Sequence, residues 1–204
     1  MKIICVGMNY RLHNKELGES LLEQENPVIF MKPETALLKD NSPFYLPDFS
    51  SQIEYEVEIV VRISKMGKNI ASKFAHRYYD AIALGIDFTA RDLQNQLKVA
   101  GSPWDICKGF DNSAPISKFI PAQNLNLSDL SFSLSLNGNN VQQGNTSNMI
   151  WNIDEIISFV SRYFTLKTGD LIFTGTPHGV GKISVGDHIE GFIGDEKMLD
   201  FDVR

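Results

Sequence analysis

Apolar runs and polar intervals alternate along the first part of the chain. Residues 2–7 and 28–32 are continuously apolar enough to predict two short buried β-strands. Between them, residues 11–26 are polar and rich in glutamate and leucine. This composition predicts a mobile helix or a lid over the segment.

The segment from Ile53 to Ile63 alternates between acidic and apolar residues, which predicts a β-strand. Because successive side chains of a strand point to opposite faces, Glu54, Glu56 and Glu58 are expected on one face. Three carboxylates would then share one surface.

A helix over residues 73–82 and a short buried strand over residues 83–88 are predicted next. The second of these segments is apolar apart from Asp87 near its end. A bare carboxylate there would be costly to bury unless a cation lies beside it.

A second helix is predicted directly after this strand. Thr89, followed three residues later by Asp92, resembles a capping box with aspartate in place of glutamate. The helix is expected to reach about Val99, because the Gly-Ser-Pro sequence at residues 101–103 stops it. Asp87 would therefore lie at a strand-to-helix junction.

The second half of the chain contains clear turn and cap signals. Residues 132–136 alternate, and Asn137–Gly138 is the dipeptide that a type I′ hairpin prefers, with a return strand from Val141. Asn152 with Glu155 predicts the capped start of a helix. The apolar stripe of that helix, which belongs to the core, comprises Ile153, Ile156, Ile157, Val160 and Phe164.

Strands and turns are predicted from Gly169 onward, since Gly-Asp pairs recur at residues 169–170, 186–187 and 194–195. The predicted fold class is α+β, dominated by antiparallel or mixed sheet. With 204 residues, no repeat and no polar linker, the chain is predicted to form a single domain over residues 1–204.

Composition narrows the class of function. A formal net charge of -6 and a pI near 5.2 argue against nucleic-acid binding, which needs a basic face. No apolar run approaches the roughly 20 residues of a membrane span, and the first apolar run is too short for a signal peptide, so a cytoplasmic location is expected. Cys5 and Cys107 are expected to be reduced.

Glu56 and Glu58 form the first candidate for chemistry. Two residues apart on a strand, their side chains start about 6 to 7 Å apart, close enough to bind one cation. A solvated acidic face is the alternative, and Asp87 favours the cation site, although Arg91 could instead be its partner. Three carboxylates select a hard cation, so Mg²⁺ is predicted, with Mn²⁺ or Ca²⁺ as alternatives.

Two further candidates lie elsewhere. If the segment around His13 is helical, His13 and Glu16 lie on one face and form a general-base pair; the alternative is a surface histidine.

Residues 175–182 resemble a phosphate-binding loop but lack its spacing and its final Ser or Thr. That segment is instead predicted to be a turn whose backbone amides and Thr176 hydroxyl receive an anionic substrate.

Taken in order, several short segments resemble the fumarylacetoacetate hydrolase family over nearly the full chain. The segments are Val6–Tyr10, Phe30–Pro33, Tyr55–Glu58, Asp87–Asp92, Lys108–Asp111, Gly144–Thr146 with Met149–Ile150, and Thr174–Pro177 with Gly179–Gly181. The resemblance implies a multi-layer β-roll and a lid segment at residues 11–26. It implies the short acylpyruvase and 2-hydroxyhepta-2,4-diene-1,7-dioate isomerase branch, in which the extra amino-terminal domain of the larger members is expected to be absent.

The resemblance also implies roles for individual residues. Glu56, Glu58 and Asp87 occupy the metal positions, and His13 with Glu16 matches a water-activating pair on the lid. The implied catalytic residues are His13, Glu16 and Lys108, and the implied substrate contacts are Arg91, Gln94, Lys32 and Thr176. Gly109 replaces the serine that commonly follows the motif lysine, which alters one polar contact.

The predicted function is Mg²⁺-dependent cleavage of a C–C bond in an acylpyruvate-type 2,4-dioxo acid, giving pyruvate and a carboxylic acid. Because a pyruvate enolate is the shared intermediate, isomerisation of a 2-hydroxyhepta-2,4-diene-1,7-dioate or decarboxylation of oxaloacetate are alternatives. A non-enzymatic metal-binding scaffold is the remaining alternative. The small-molecule partner is a 2-oxo acid, and the resemblance implies a homodimer.

Overall fold

Strands are the main regular secondary structure of the computed structural model, which describes residues 1–16 and 25–204. The helices of these residues are α1 (Arg11–Glu16), α2 (Ser72–Ala75), α3 (Arg91–Ala100), α4 (Asp105–Lys108) and α5 (Ile153–Tyr163). The first strands are β1 (Ile3–Gly7), β2 (Val28–Lys32), β3 (Leu37–Leu38), β4 (Ile53–Tyr55), β5 (Val57–Ile63), β6 (Tyr79–Ile86), β7 (Thr89–Ala90) and β8 (Ala114–Pro115). The later strands are β9 (Ile120–Pro121), β10 (Ser131–Leu136), β11 (Asn139–Asn145), β12 (Leu171–Phe173), β13 (Gly181–Lys182), β14 (His188–Ile193) and β15 (Glu196–Asp202).

Two larger sheets organise these strands. One has the order β2-β1-β12-β5-β6-β9, in which only the β1–β12 pair is parallel, and the other has the order β11-β10-β14-β15 and is antiparallel throughout. The small sheets β13-β4-β7 and β3-β8 lie beside them. The predicted α+β class with mostly antiparallel sheets is therefore confirmed.

Both faces of the six-stranded sheet are buried. On β1, Ile4 and Val6 pack into the larger apolar cluster, whereas Ile3 and Cys5 pack into a smaller one on the opposite face. A strand with two buried faces needs no polar alternation, which explains the continuous apolar runs of the sequence. Cys5 and Cys107 are buried free thiols, as expected.

The helix predicted over residues 73–82 is wrong. Only α2 is helical there, and β6 begins at Tyr79 and pairs along its length with β5. A short apolar run suits a buried helix and a buried strand equally, and pairing with β5 decides between them. Because β6 ends at Ile86, Asp87 lies just beyond the strand.

The capping box predicted at Thr89 is also wrong. Thr89 pairs with β4 as part of β7, and α3 begins at Arg91 with no side-chain cap at Ala90. The Asp92 carboxylate instead accepts a hydrogen bond from Ser50 Oγ at 2.6 Å. The predicted end of the helix is confirmed, since Gly101 has a left-handed φ of 65°.

The predicted hairpin is confirmed, with its return strand starting at Asn139, two residues before the expected Val141. Asn137 and Gly138 have φ values of 53° and 79°, as a type I′ turn requires at both central positions. The described residues contain no helix that is long and apolar enough to cross a membrane.

The predicted capping box of α5 is confirmed and gives a stability prediction. Asn152 Oδ1 accepts from the Glu155 backbone N–H at 3.0 Å, and the Glu155 carboxylate accepts from the Asn152 N–H at 2.9 Å. Asn152→Ala is expected to lower the free energy of unfolding by about 1 kcal/mol, because an orphan N–H loses its acceptor. Urea denaturation measures this, with Asn152→Asp as the control that keeps the cap; equal losses in both variants would contradict it.

Candidate active site

Antiparallel pairing of β5 with β6 brings three acidic side chains together. Glu56 lies at the break between β4 and β5, Glu58 lies in β5, and the Asp87 backbone N–H donates to Glu56 O at 2.8 Å. One carboxylate oxygen from each residue lies within 4.8 Å of the others, and all three residues are buried. The alternative of a solvated acidic face is therefore wrong.

Lys108 lies among these acids. Its ammonium is 2.8 Å from Glu56 Oε2 and 2.6 Å from Asp87 Oδ2, and it also donates to Thr89 Oγ1 at 2.6 Å. Burial opposes the charge on Lys108, but Asp87 and Glu56 outweigh that effect and raise its pKa. Lys108 is therefore a fixed positive charge in the site.

Arg91, considered as a partner for Asp87, pairs with other acids. Its Nε lies 2.7 Å from Glu54 Oε2, and another of its nitrogens lies 2.5 Å from Glu56 Oε1. A third nitrogen donates to Gln94 Oε1. Glu54 thus holds the guanidinium in place and is not part of the cluster of Glu56, Glu58 and Asp87.

Lys32 lies beneath the site with a fully buried side chain. Its ammonium donates to the carbonyls of Phe88, Lys108 and Ser113, and to Ser113 Oγ. It therefore joins three backbone segments under the acidic cluster. Lys32 was predicted to contact the substrate, but it does not line the cavity above the acidic cluster.

Glu56 and Glu58 differ in electrostatic environment. For Glu56, burial opposes ionisation, but Lys108 and Arg91 outweigh it and lower the pKa. For Glu58, burial and then Asp87 raise the pKa well above its ordinary value, and the Gly175 backbone N–H donates to its Oε2 at 2.7 Å. Among the described residues, no lysine or arginine forms an ion pair with Glu58.

This cluster fits a hard divalent cation. The three carboxylates supply oxygen ligands from buried positions, and the Lys108 ammonium already occupies a cation position between two of them. Asp87 Oδ1 forms an ion pair with Lys32 Nζ at 2.7 Å but accepts no hydrogen bond. The chain therefore has oxygen ligands in place, and one of them, Glu58, has no ion-pair partner among the described residues.

A small, partly enclosed cavity opens over the cluster. Aromatic side chains of Phe30 and Trp104 form part of its wall, with ring centroids 5.9 Å apart. The residues with predicted roles that line it are His13, Glu56, Glu58, Asp87, Arg91, Gln94, Lys108 and Thr176. The structure thus brings together most of the predicted site.

His13 lies on α1 and is only 4% exposed, so it is not a surface histidine. Its Nδ1 lies 3.4 Å from Glu16 Oε2, and Glu16 in turn accepts from the Gly179 backbone N–H at 3.1 Å. Burial lowers the pKa of His13, against the opposing effects of Glu56 and Glu16. With Nδ1 turned to Glu16, Nε2 is the nitrogen that can accept a proton. The rest of the predicted lid, residues 17–24, lies outside the described residues.

The turn over residues 175–182 differs in part from expectation. Its Gly175 and Gly179 amides, predicted to receive a substrate, donate instead to Glu58 and Glu16. Gly175 has a φ of 100°, and a Cβ there would collide with Asn9, so the turn needs glycine. Only the Thr176 side chain keeps its predicted place on the cavity wall.

Sequence reasoning missed two buried amides that hold the site together. Asn9 donates to Thr174 O at 2.7 Å, joining the end of β1 to the turn that follows β12. Gln142 accepts from the Val57 N–H and donates to Pro177 O, both at 2.9 Å. Asn9 lies in the Val6–Tyr10 segment but no role was predicted for it, and Gln142 lies in a polar stretch in which no local pattern distinguishes it.

Comparison with known proteins agrees with this geometry. Residues 2–199 match the profile described as fumarylacetoacetate (FAA) hydrolase C-terminal. The chain is 41% identical over 203 residues to the mouse protein named oxaloacetate tautomerase FAHD1, mitochondrial, covering 99% of this chain and 91% of that protein. It is 40% identical over 190 residues to the Escherichia coli oxaloacetate tautomerase YcgM, covering 92% of this chain and 86% of that protein.

A solved structure adds to these relatives. Fumarylpyruvate hydrolase from Pseudomonas aeruginosa, in complex with Mn²⁺ and pyruvate, aligns with a TM-score of 0.94 at 35% identity. The alignment covers 100% of this chain and 89% of that one. The chain therefore belongs to the fumarylacetoacetate hydrolase family of metal-dependent enzymes.

Proposed function

We propose that the protein interconverts the keto and enol forms of a 2-oxo diacid of the oxaloacetate class, with Mg²⁺ or Mn²⁺ held by Glu56, Glu58 and Asp87. The observation that carries the proposal is the presence of a buried base, His13, on the wall of the same cavity as the three carboxylates. The names of the two tautomerase relatives, each about 40% identical to the chain, support this substrate class.

Each residue has a distinct role in the proposed reaction. A divalent cation bound by the carboxylates supplies Lewis-acid polarisation of the 2-oxo group. His13 Nε2 takes the proton from the carbon beside that group and returns it to the enolate oxygen, while Glu16 holds Nδ1. Arg91 and Lys108 offset the negative charge that develops on the oxygen.

Hydrolysis of an acylpyruvate is the second candidate, and the His13–Glu16 pair favours it. In this reaction His13 takes a proton from water, the hydroxide attacks the distal carbonyl, and the C–C bond breaks. The electrons of that bond form a pyruvate enolate, which then accepts a proton. The Mn²⁺ and pyruvate bound to the similar fumarylpyruvate hydrolase support the candidate and favour Mn²⁺ as an alternative metal.

One panel of substrates separates these candidates. Purified protein is assayed with Mg²⁺, with Mn²⁺ and with EDTA on oxaloacetate, acetylpyruvate, fumarylpyruvate and a hydroxydienoic diacid. Metal-dependent acceleration of keto–enol exchange in oxaloacetate, followed by ultraviolet absorbance without pyruvate release, supports the tautomerase. Pyruvate from the acylpyruvates supports the hydrolase, pyruvate from oxaloacetate the decarboxylase, and a change confined to the hydroxydienoic diacid the isomerase. Inactivity on the whole panel contradicts the proposal.

The lowered pKa of His13 predicts the pH dependence of the reaction. Only neutral His13 accepts a proton, so kcat/KM is expected to fall on the acid side as pH decreases through a value below about 6.5, the ordinary histidine pKa. Glu16→Gln removes a charge that raises this pKa, so the acid limb should move to still lower pH. An acid limb that stays in place or moves upward would contradict the assignment.

A further inference from the structure

Gln142 on β11 connects the second sheet to two parts of the active site. Its Oε1 accepts from the Val57 N–H at 2.9 Å, and its Nε2 donates to Thr176 Oγ1 and Pro177 O, each at 2.9 Å. The residue is only 1% exposed. Val57 lies between the two glutamates of the cation site, and Thr176 lies on the cavity wall. One side chain thus spans the carboxylate strand and the turn that faces the substrate.

The orientation of the Gln142 amide is forced by its partners. A backbone N–H can only donate and a carbonyl oxygen can only accept, so Val57 must face the amide oxygen and Pro177 the amide nitrogen. Thr176 Oγ1 therefore receives a hydrogen bond from Gln142. If the amide were flipped, its NH₂ group would face the Val57 N–H and its oxygen would face Pro177 O, and neither pair can form a hydrogen bond.

The direction of this bond determines what the Thr176 hydroxyl can do. Since its oxygen accepts from Gln142, its own hydrogen must point elsewhere, and within residues 1–16 and 25–204 it donates to no protein acceptor. The hydroxyl is buried on the wall of the cavity, where an anionic oxygen is the complementary ligand.

We infer that Gln142 is a positioning residue that makes Thr176 a hydrogen-bond donor towards an anionic oxygen of the substrate. It also holds the Thr176–Pro177 turn at a fixed distance from Val57, the first residue of β5, which lies between Glu56 and Glu58. The identity of the substrate rests on the proposed function, whereas the orientation of the hydroxyl rests on the Gln142 contacts alone.

A double-mutant cycle tests the inference. In Gln142→Glu, assayed at pH 8.5 to keep the new carboxylate ionised, one oxygen still accepts from Val57, but the other can only accept from Thr176. The Thr176 hydrogen is then drawn away from the cavity, and KM is expected to rise about tenfold or more, the same rise that is expected for Thr176→Val. Gln143→Glu, which adds the same charge at the exposed neighbouring position, is the matched control.

The combined variant distinguishes positioning from simple charge repulsion. If Gln142 acts through Thr176, then Thr176→Val raises KM about tenfold in the wild-type background but less than about twofold in the Gln142→Glu background. If the introduced carboxylate acted only by repelling the anionic substrate, Thr176→Val would still raise KM about tenfold in the Gln142→Glu background. Full additivity of the two substitutions, or a wild-type KM in Gln142→Glu, overturns the inference.

A second measurement is independent of turnover. Gln142→Met keeps the length of the side chain but removes every hydrogen bond, so amide hydrogen exchange over residues 174–178 is expected to accelerate at least about tenfold relative to Gln143→Met. If the wild-type protein turns over no substrate of the panel, the proposed function is wrong. The hydrogen-exchange rates then still test whether Gln142 positions the Thr176 turn. Unchanged exchange in Gln142→Met overturns it whatever the activity.

Discussion

Replacing Asp87 with asparagine is expected to weaken Mg²⁺ binding by at least about 100-fold and to lower kcat/KM by about 1,000-fold. Asparagine has the same shape but lacks the negative charge, so the cation site keeps only two carboxylates. Lys32 and Lys108 both lie against Asp87, at 2.7 and 2.6 Å, and both are buried. Removing one partner of a buried ion pair is also expected to cost about 3–5 kcal/mol of stability.

Asp80→Asn is the matched control for this variant. Asp80 pairs with Arg62 at 2.9 Å, but both side chains are substantially exposed, so the loss should be below about 1 kcal/mol. Calorimetric titration with Mg²⁺ and urea denaturation of both variants give the two affinities and stabilities. Retention of wild-type Mg²⁺ affinity in Asp87→Asn would remove Asp87 from the proposed cation site.

Replacing His13 with glutamine is expected to lower kcat by about 100- to 10,000-fold while changing Mg²⁺ affinity by less than about threefold. His13 is the buried imidazole on the cavity wall, and it is held by Glu16 rather than by the acidic cluster. Loss of the base therefore removes proton transfer and leaves the cation ligands intact.

His76→Gln is the control, because His76 is exposed and lies outside the catalytic cavity. Steady-state kinetics on the active substrate of the panel and Mg²⁺ titration measure both quantities. Full activity in His13→Gln would show that another group, or a water molecule, transfers the proton. A parallel loss of Mg²⁺ affinity would instead assign His13 to the cation site.

Local signals predicted the parts of the fold that depend on backbone dihedral angles and nearby hydrogen bonds. The Asn137–Gly138 turn and the Asn152 cap are decided within a few residues, so their sequence signatures were sufficient. The spacing of Glu56 and Glu58 likewise placed both side chains in one site, because a strand alternates with a period of two. Asp87 could be added because a charge at the end of an apolar strand requires compensation.

Long-range packing decided the rest. Residues 79–82 suited a helix as well as a strand, and only pairing with β5 fixes them as part of β6. The ion pairs of Arg91 also depend on long-range packing. Its partners Glu54 and Glu56 lie more than 30 residues earlier in the chain, so the local sequence could not predict these pairs. Gln142 reaches its partners from another sheet. The sequence by itself determined which groups are available for chemistry, whereas the tertiary structure decided their partners, because distance and direction between remote segments are set only when the sheets pack.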